Sequence, residues 1–231
     1  IQQTTHNVAL SPQSILIDFE VASWNAFSRN FPTARVKGSH FHFAQNIWKK
    51  IKKYGLTKLI LNNDNARRQV ANLTALPLLP SNEINEAFSN IIESFFELGD
   101  KCIRLTDYVL KTYIEEPRYL IDFWSHFDLI GKRPGTNNHV EGYHGHCEIH
   151  PHLRAWIRYI QEGEQSTTSR YEQAQQHTTR RKKRRTVNND LRLTEATKSY
   201  FNGPLGSEDY QATLRSLSYR YIVVLDNDSN S

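Results

Sequence analysis

Residues 14–38 read SILIDFEVASWNAFSRNFPTARVKG, and this segment predicts the class of the fold. Its opening apolar run ends in Asp18, as expected for a buried strand of a mostly parallel sheet. Residues 19–30 then carry apolar side chains at helical spacing. Residues 34–37 predict a second strand, which Gly38 closes. A strand, a helix and a second strand in this order indicate an α/β fold.

Helical patterns dominate the chain after these two strands. One helix begins near Phe43 and is expected to end at Gly55, and residues 57–130 predict an all-helical insertion. A last helix is expected over 138–161. We therefore divide the chain into three parts: a domain over 1–161, a basic, solvated linker over 162–190, and a partly disordered, helical C-terminal tail over 191–231.

The net charge of +5 comes from 29 Lys and Arg against 24 Asp and Glu. Residues 166–190 hold seven basic and two acidic residues, and this excess (7 − 2 = +5) equals that of the whole chain. The body is therefore nearly neutral, which excludes a uniformly basic nucleic-acid coat. The apolar fraction of 38% is sufficient for a core. No apolar run approaches the roughly 18 residues of a membrane span, so we expect no membrane partner.

Cysteine and methionine usage gives two further expectations. Cys102 and Cys147 are the two cysteines; free intracellular thiols are the favoured interpretation, and a disulfide between them stays open. The chain contains no Met and opens on Ile1, which suggests a processed chain or a piece of a longer one.

Asp18 and Glu141 are the first candidates for chemistry. A carboxylate at the carboxyl end of a sheet strand is typical of ligand and metal sites in open α/β folds, and Mg²⁺ prefers oxygen ligands. Each residue also has an ordinary interpretation. Asp18 could cap the following helix, and Asn138-His-Val-Glu141 has the form of a capping box.

Histidines form two groups. His40 and His42 lie in Ser39-His-Phe-His42, where a hydrogen-bonding role is favoured over zinc because no further ligand is close. The second group is denser, but its spacings match no recognised zinc pattern; it comprises His139, His144, His146, Cys147, His150 and His152. A zinc-binding interaction module built on this group is one hypothesis.

Six consecutive cations form the last candidate. Residues 180–185 read RRKKRR: Arg180, Arg181, Lys182, Lys183, Arg184 and Arg185. Such a run is solvated, contacts phosphate, or binds the acidic surface of a nuclear import receptor.

Several motifs, in order, resemble the transposase domain of Mutator-like elements (MULE). They are residues 15–20 (ILIDFE), 37–45 (KGSHFHFAQ), 75–80 (ALPLLP), 136–144 (TNNHVEGYH) and the later His150-Pro151. The similarity extends over nearly the whole chain, and the ordered set is much more specific than any single motif.

The resemblance implies a partial ribonuclease-H-like transposase core whose sheet is interrupted by a helical insertion. In the family, two Asp and one Glu bind two Mg²⁺ or Mn²⁺ ions and catalyse DNA cleavage and strand transfer. Asp18 matches the second Asp and Glu141 the Glu. The family's Cys-x-x-His element corresponds to Ser39 and His42, so a hydroxyl replaces the thiol. DNA is the implied partner and the nucleus the implied location.

The first Asp of the triad has no counterpart here, because none of the 17 residues before Asp18 is acidic. We therefore expect an N-terminally truncated transposase domain without strand-transfer activity. Losing one carboxylate weakens metal binding, so Mg²⁺ or Mn²⁺ is not expected to bind productively, and it removes electrostatic stabilisation of the transition state. The alternative is a domesticated, non-enzymatic nuclear protein that binds DNA.

Overall fold

A computed structural model describes residues 11–115, 117, 119–132 and 184–227, together with the isolated positions 158, 162, 165 and 169. Within these residues the architecture is α/β, with two parallel strands and a larger helical part.

The two predicted strands are confirmed and pair in parallel. β1 (Ser14–Ile17) lies beside β2 (Arg35–Gly38), with Ser14 opposite Arg35 and Ile17 opposite Gly38. The crossover is α1 (Val21–Asn30). It starts two residues later than predicted because the chain turns first, where the Glu20 N–H donates to the Asp18 carbonyl at 2.8 Å.

The second helix lies directly after β2. α2 (His40–Lys53) begins three residues before the predicted start and buries an apolar stripe made of Phe43, Ala44, Ile47, Trp48 and Ile51. Its predicted end at Gly55 is confirmed. Gly55 has φ +67°, a left-handed conformation that glycine adopts without a Cβ clash.

The predicted helical block over 57–130 is also confirmed for its described residues. Its helices are α3 (Thr57–Asn62), α4 (Asp64–Ala75), α5 (Ile84–Phe96), α6 (Asp100–Val109) and the short α7 (Ile121–Trp124). Short 3₁₀ turns follow α4 and α7, and a single π turn, Leu110–Ile114, extends α6. Asn63 caps α4 by accepting a hydrogen bond from the Ala66 N–H at 2.9 Å.

An aromatic cluster joins the sheet to this helical block. The Phe19 ring makes edge-to-face contacts with Tyr113, Tyr119 and Phe123, at centroid distances of 5.7, 5.2 and 5.5 Å. The fully buried Trp124 stacks on Phe43 of α2 at 5.3 Å. These ring pairs position the residues after β1 against the insertion.

The predicted C-terminal helical tail forms two helices, α8 (Arg184–Phe201) and α9 (Ser207–Asn227). The described residues over 192–227 belong to the same compact unit as those over 11–132. α9 packs along α4 and contacts α2. The fully buried Tyr210 donates a hydrogen bond to the Leu78 carbonyl at 3.1 Å.

Part of the predicted linker over 162–190 is helical. Positions 162, 165 and 169 are helical and exposed, and α8 begins at Arg184. A basic, solvated segment and a helical backbone are compatible, because Arg, Lys, Gln and Glu have high helix propensity.

None of the helices in the described part of the chain combines the length and the hydrophobicity that a membrane span requires. Cys102 is a free thiol buried in the core, and burial raises its pKa.

Candidate functional site

Asp18 and His42 meet at the carboxyl edge of the two strands. Asp18 follows the last residue of β1, and His42 lies in the first turn of α2, which begins as β2 ends. The His42 Nδ1 is 2.9 Å from the Asp18 Oδ1, and their side chains are 18% and 45% exposed. Because the two strands are parallel, Asp18 and His42, which are 24 positions apart in the sequence, meet at the same accessible edge of the sheet.

Asp18 does not cap the crossover helix. The residue at the N-cap of α1 is Glu20. The capping interpretation of Asp18 is therefore wrong. The Asp18 carboxylate is partly exposed, and His42 contacts one of its two oxygens.

Ser39, the counterpart of the family's Cys, is 1% exposed. Its N–H donates to the Ile17 carbonyl at 2.8 Å, and its own carbonyl accepts from Phe43 at the start of α2. Ser39 thus links β1 to α2 through its backbone. His42, the other residue of the Cys-x-x-His-like element, lies within ion-pair distance of Asp18.

His40 has the hydrogen-bonding role that its spacing favoured. Its Nε2 lies 2.8 Å from the Thr74 carbonyl at the end of α4, and the side chain is buried. Among the described residues there is no group of three or more His, Cys, Asp or Glu placed to hold a metal ion.

A second charged cluster lies beside β2, and sequence reasoning missed it. The buried Lys37 donates from Nζ to the Ser125 carbonyl at 2.6 Å and to Asp128 Oδ1 at 2.7 Å. Arg35 reaches the other carboxylate oxygen at 2.9 Å. Burial alone would raise the pKa of Asp128, but the hydrogen bond and charge of Lys37, aided by Arg35, outweigh it and lower the pKa. The sequence signal that could have revealed this cluster was Lys37, a lysine directly before Gly38 in a buried strand.

His126 is the second residue that sequence reasoning missed. It lies after α7, its N–H donates to the Pro77 carbonyl at 2.6 Å, and its Nε2 is 2.7 Å from the Gly38 carbonyl. Burial lowers its pKa, as does the nearby charge of Lys37. A neutral ring that donates from Nε2 therefore ties the end of β2 to the helical block.

We expect acidification to destabilise the protein through His126. The ring is harder to protonate when folded than when unfolded, so its contribution is complete well above the ordinary pKa of 6.5 and is lost as pH falls below that value. Between about pH 7.5 and about pH 5.5 the free energy of unfolding should fall by about 1 kcal/mol more in the wild type than in His126→Gln. Urea denaturation at both pH values measures this difference.

Gln can still donate a hydrogen bond to the Gly38 carbonyl but does not titrate. Equal pH dependence in the wild type and His126→Gln would show that another group causes the acid sensitivity. His40 is the neighbouring titratable ring, at a centroid distance of 6.0 Å.

An open groove lies along the outer side of β2. Its volume is about 640 Å³, and its lining includes Trp24, Arg35, Lys37, Phe127 and Asp128. Both cations that line it contact Asp128, and Asp122 adds a second carboxylate, so the charged residues of the lining balance.

The remaining candidates lie outside the described residues or have side chains that are not described. Glu141, the group His139, His144, His146, Cys147, His150 and His152, and Arg180, Arg181, Lys182 and Lys183 are outside. For Arg184 and Arg185 only the helical backbone is described. The metal-binding role of Glu141 and the phosphate-contact or import role of the hexabasic run stay predictions.

No family model matches the chain, and the searches of curated proteins and of solved structures find no match either.

Proposed function

We propose that this chain carries part of the DNA-cleaving site of a Mutator-like transposase, with Asp18 and Glu141 as two of the metal-binding carboxylates. One observation carries this proposal. Asp18 follows a parallel strand at the sheet's carboxyl edge, and His42, in the first turn of α2, lies 2.9 Å from it. In this interpretation β1, α1 and β2 belong to a ribonuclease-H-like core, and α3 to α7 form its helical insertion.

Asp18 has the chemistry that this role needs. A carboxylate oxygen suits a hard divalent cation, and the side chain is 45% exposed. His42 Nδ1 lies 2.9 Å from Oδ1, and the second carboxylate oxygen is the proposed metal ligand. When bound, Mg²⁺ or Mn²⁺ would supply an activated water and neutralise charge on the phosphate.

The Asp18 prediction is tested by measuring Mn²⁺ binding. Electron paramagnetic resonance measures free Mn²⁺ while the chain is titrated with the metal. Asp18→Asn and Glu141→Gln should each weaken Mn²⁺ binding by about tenfold or more. Asp107→Asn is the matched control, because Asp107 is an exposed carboxylate on α6. Equal weakening by Asp107→Asn, or no Mn²⁺ binding by the wild type, would contradict the assignment.

A non-enzymatic nuclear DNA-binding protein is the second candidate. The hexabasic run at residues 180–185 favours it, because such a run can contact phosphate or an import receptor. The proposed transposase fragment is not expected to cleave nicked duplex DNA, so metal binding and DNA binding separate the two candidates. Mn²⁺ binding that Asp18→Asn weakens supports the transposase fragment. Salt-dependent duplex binding that is lost when residues 180–185 are neutralised, without Mn²⁺ binding at Asp18, supports the second candidate. Cleavage that Asp18→Ala abolishes would contradict the expected inactivity.

A further inference from the structure

One face of α2 is polar from its first turn to its last. His42, Asn46, Lys49 and Lys53 follow each other at spacings of four, three and four residues, so they lie on one side of the helix. The opposite side is the buried apolar stripe. This polar face begins at the Asp18–His42 pair, where the Asn46 amide also donates to the Tyr113 hydroxyl at 3.3 Å.

Cations accumulate where this face ends. They come from three helices: Lys49, Lys50, Lys52 and Lys53 of α2, Lys58 of α3, and Lys101 and Arg104 of α6. We call these seven residues the α2 cationic end. Among the residues that the structure describes, none of the seven is within ion-pair distance of a carboxylate. Asp100 and Asp107, also on α6, are the neighbouring acids in sequence.

Two of these cations are held against aromatic rings. The Lys50 ammonium lies 4.4 Å from the centroid of Tyr108, and the Arg104 guanidinium lies 4.8 Å from that of Tyr54. Each contact joins α2 or its end to α6, and each fixes a long side chain that would otherwise be mobile. Two side chains of the α2 cationic end therefore have fixed positions before any partner binds.

Stabilisation of the helix end explains only some of these cations. Lysines in the last turn of α2 interact favourably with its C-terminal dipole, by about 0.3–1 kcal/mol each. That interaction does not account for Lys49, which precedes the last turn, or for the cations on other helices, Lys58, Lys101 and Arg104.

We propose that the polar face of α2 and the α2 cationic end bind the phosphate backbone of duplex DNA and lead it to the Asp18 site. This inference rests on the proposed function for the identity of the polyanion. Lys49 and Lys53 lie about 10 and about 17 Å from His42 along the helix axis. A DNA strand has a phosphate about every 3.4 Å along its axis, so the face spans about three to five nucleotides.

Charge neutralisation of the exposed lysines tests this surface. In Lys49→Gln/Lys52→Gln/Lys53→Gln the affinity for a 20-base-pair duplex, measured by fluorescence anisotropy in about 0.1 M KCl, should fall about 10- to 100-fold. The slope of log affinity against log salt concentration should decrease by about 2.7, since each lost phosphate contact contributes about 0.9. The Lys→Arg triple should bind like the wild type, because its charges are retained.

The control removes three exposed cations elsewhere. Arg29→Gln/Lys132→Gln/Lys198→Gln makes the same change in net charge at positions on α1, after α7 and on α8. Its salt slope should change by less than about one. Equal losses in both triples would overturn the proposal, because they would reflect net charge alone. Equal weakening towards a poly-glutamate peptide would also overturn it in favour of an acidic protein partner.

These measurements distinguish a failure of the α2 proposal from a failure of the proposed function. If the wild-type chain binds no duplex DNA, both the proposed function and the role of the α2 cationic end fail. If the chain binds duplex and only neutralisation of residues 180–185 weakens that binding, the role of the α2 cationic end is excluded, and the Mn²⁺ titration decides the proposed function separately.

Discussion

Gly38→Ala should destabilise the protein by about 3 kcal/mol. A Cβ at this position would lie 2.6 Å from Cε1 of Phe123 and 2.9 Å from Cζ of Phe19, closer than carbon atoms can approach. The two rings already pack edge to face at 5.5 Å, so neither can move without disturbing the aromatic cluster. Shifting Gly38 instead would weaken the hydrogen bond that its carbonyl accepts from His126.

Urea denaturation followed by circular dichroism measures this loss. Gly206→Ala is the matched control, because no atom lies within 4 Å of a Cβ there, and its cost should stay below about 1 kcal/mol. Adding Phe123→Leu to Gly38→Ala should recover part of the stability by removing the closest ring. Equal midpoints for both glycine variants would show that the strand end is not packed this tightly.

Tyr210→Ala should cost about 4 kcal/mol and reduce the thermal midpoint accordingly. The ring is fully buried, stacks on Tyr200 at 4.5 Å and is a neighbour of Phe127 at 6.4 Å. Its hydroxyl donates to the Leu78 carbonyl and lies 3.1 Å from Thr197 Oγ1. Truncation leaves a cavity between α9 and the helical block and also leaves the Leu78 carbonyl without this donor.

Two variants separate packing from hydrogen bonding. Tyr210→Phe keeps the ring and should cost only about 1 kcal/mol. Phe201→Ala removes an aromatic ring that is 81% exposed, also from the C-terminal region, and should change stability by less than about 0.5 kcal/mol. If Tyr210→Ala unfolds at the wild-type midpoint, α9 does not belong to the core.

Much of the architecture could be predicted because its signals are local. The apolar run before Asp18, the helical spacing after it and the left-handed Gly55 each act over a few residues. They predicted both strands, the crossover and the end of α2. They also placed Asp18 at the carboxyl edge of the sheet, where ligand sites of open α/β folds lie.

The contacts that hold this edge in place could not be predicted in the same way. Lys37 and Asp128 are 91 residues apart, and His126 and Gly38 are 88 residues apart. No spacing rule joins such pairs, because they form only when α7 packs on β2. The same reason applies to the C-terminal region, which the sequence assigned to a helical tail and whose Tyr210, on α9, is buried in the core.

The sequence by itself determined the local elements, the ordered motifs that resemble a transposase, and the placement of Asp18 at a strand end. Only the tertiary structure decided that His42 pairs with Asp18, that Lys37 is buried against Asp128, and that the C-terminal helices complete the core. The physical reason is the distance along the sequence over which each kind of interaction acts. Helix and strand patterns depend on neighbours a few residues away, whereas buried charge pairs and aromatic contacts depend on which distant surfaces exclude water together.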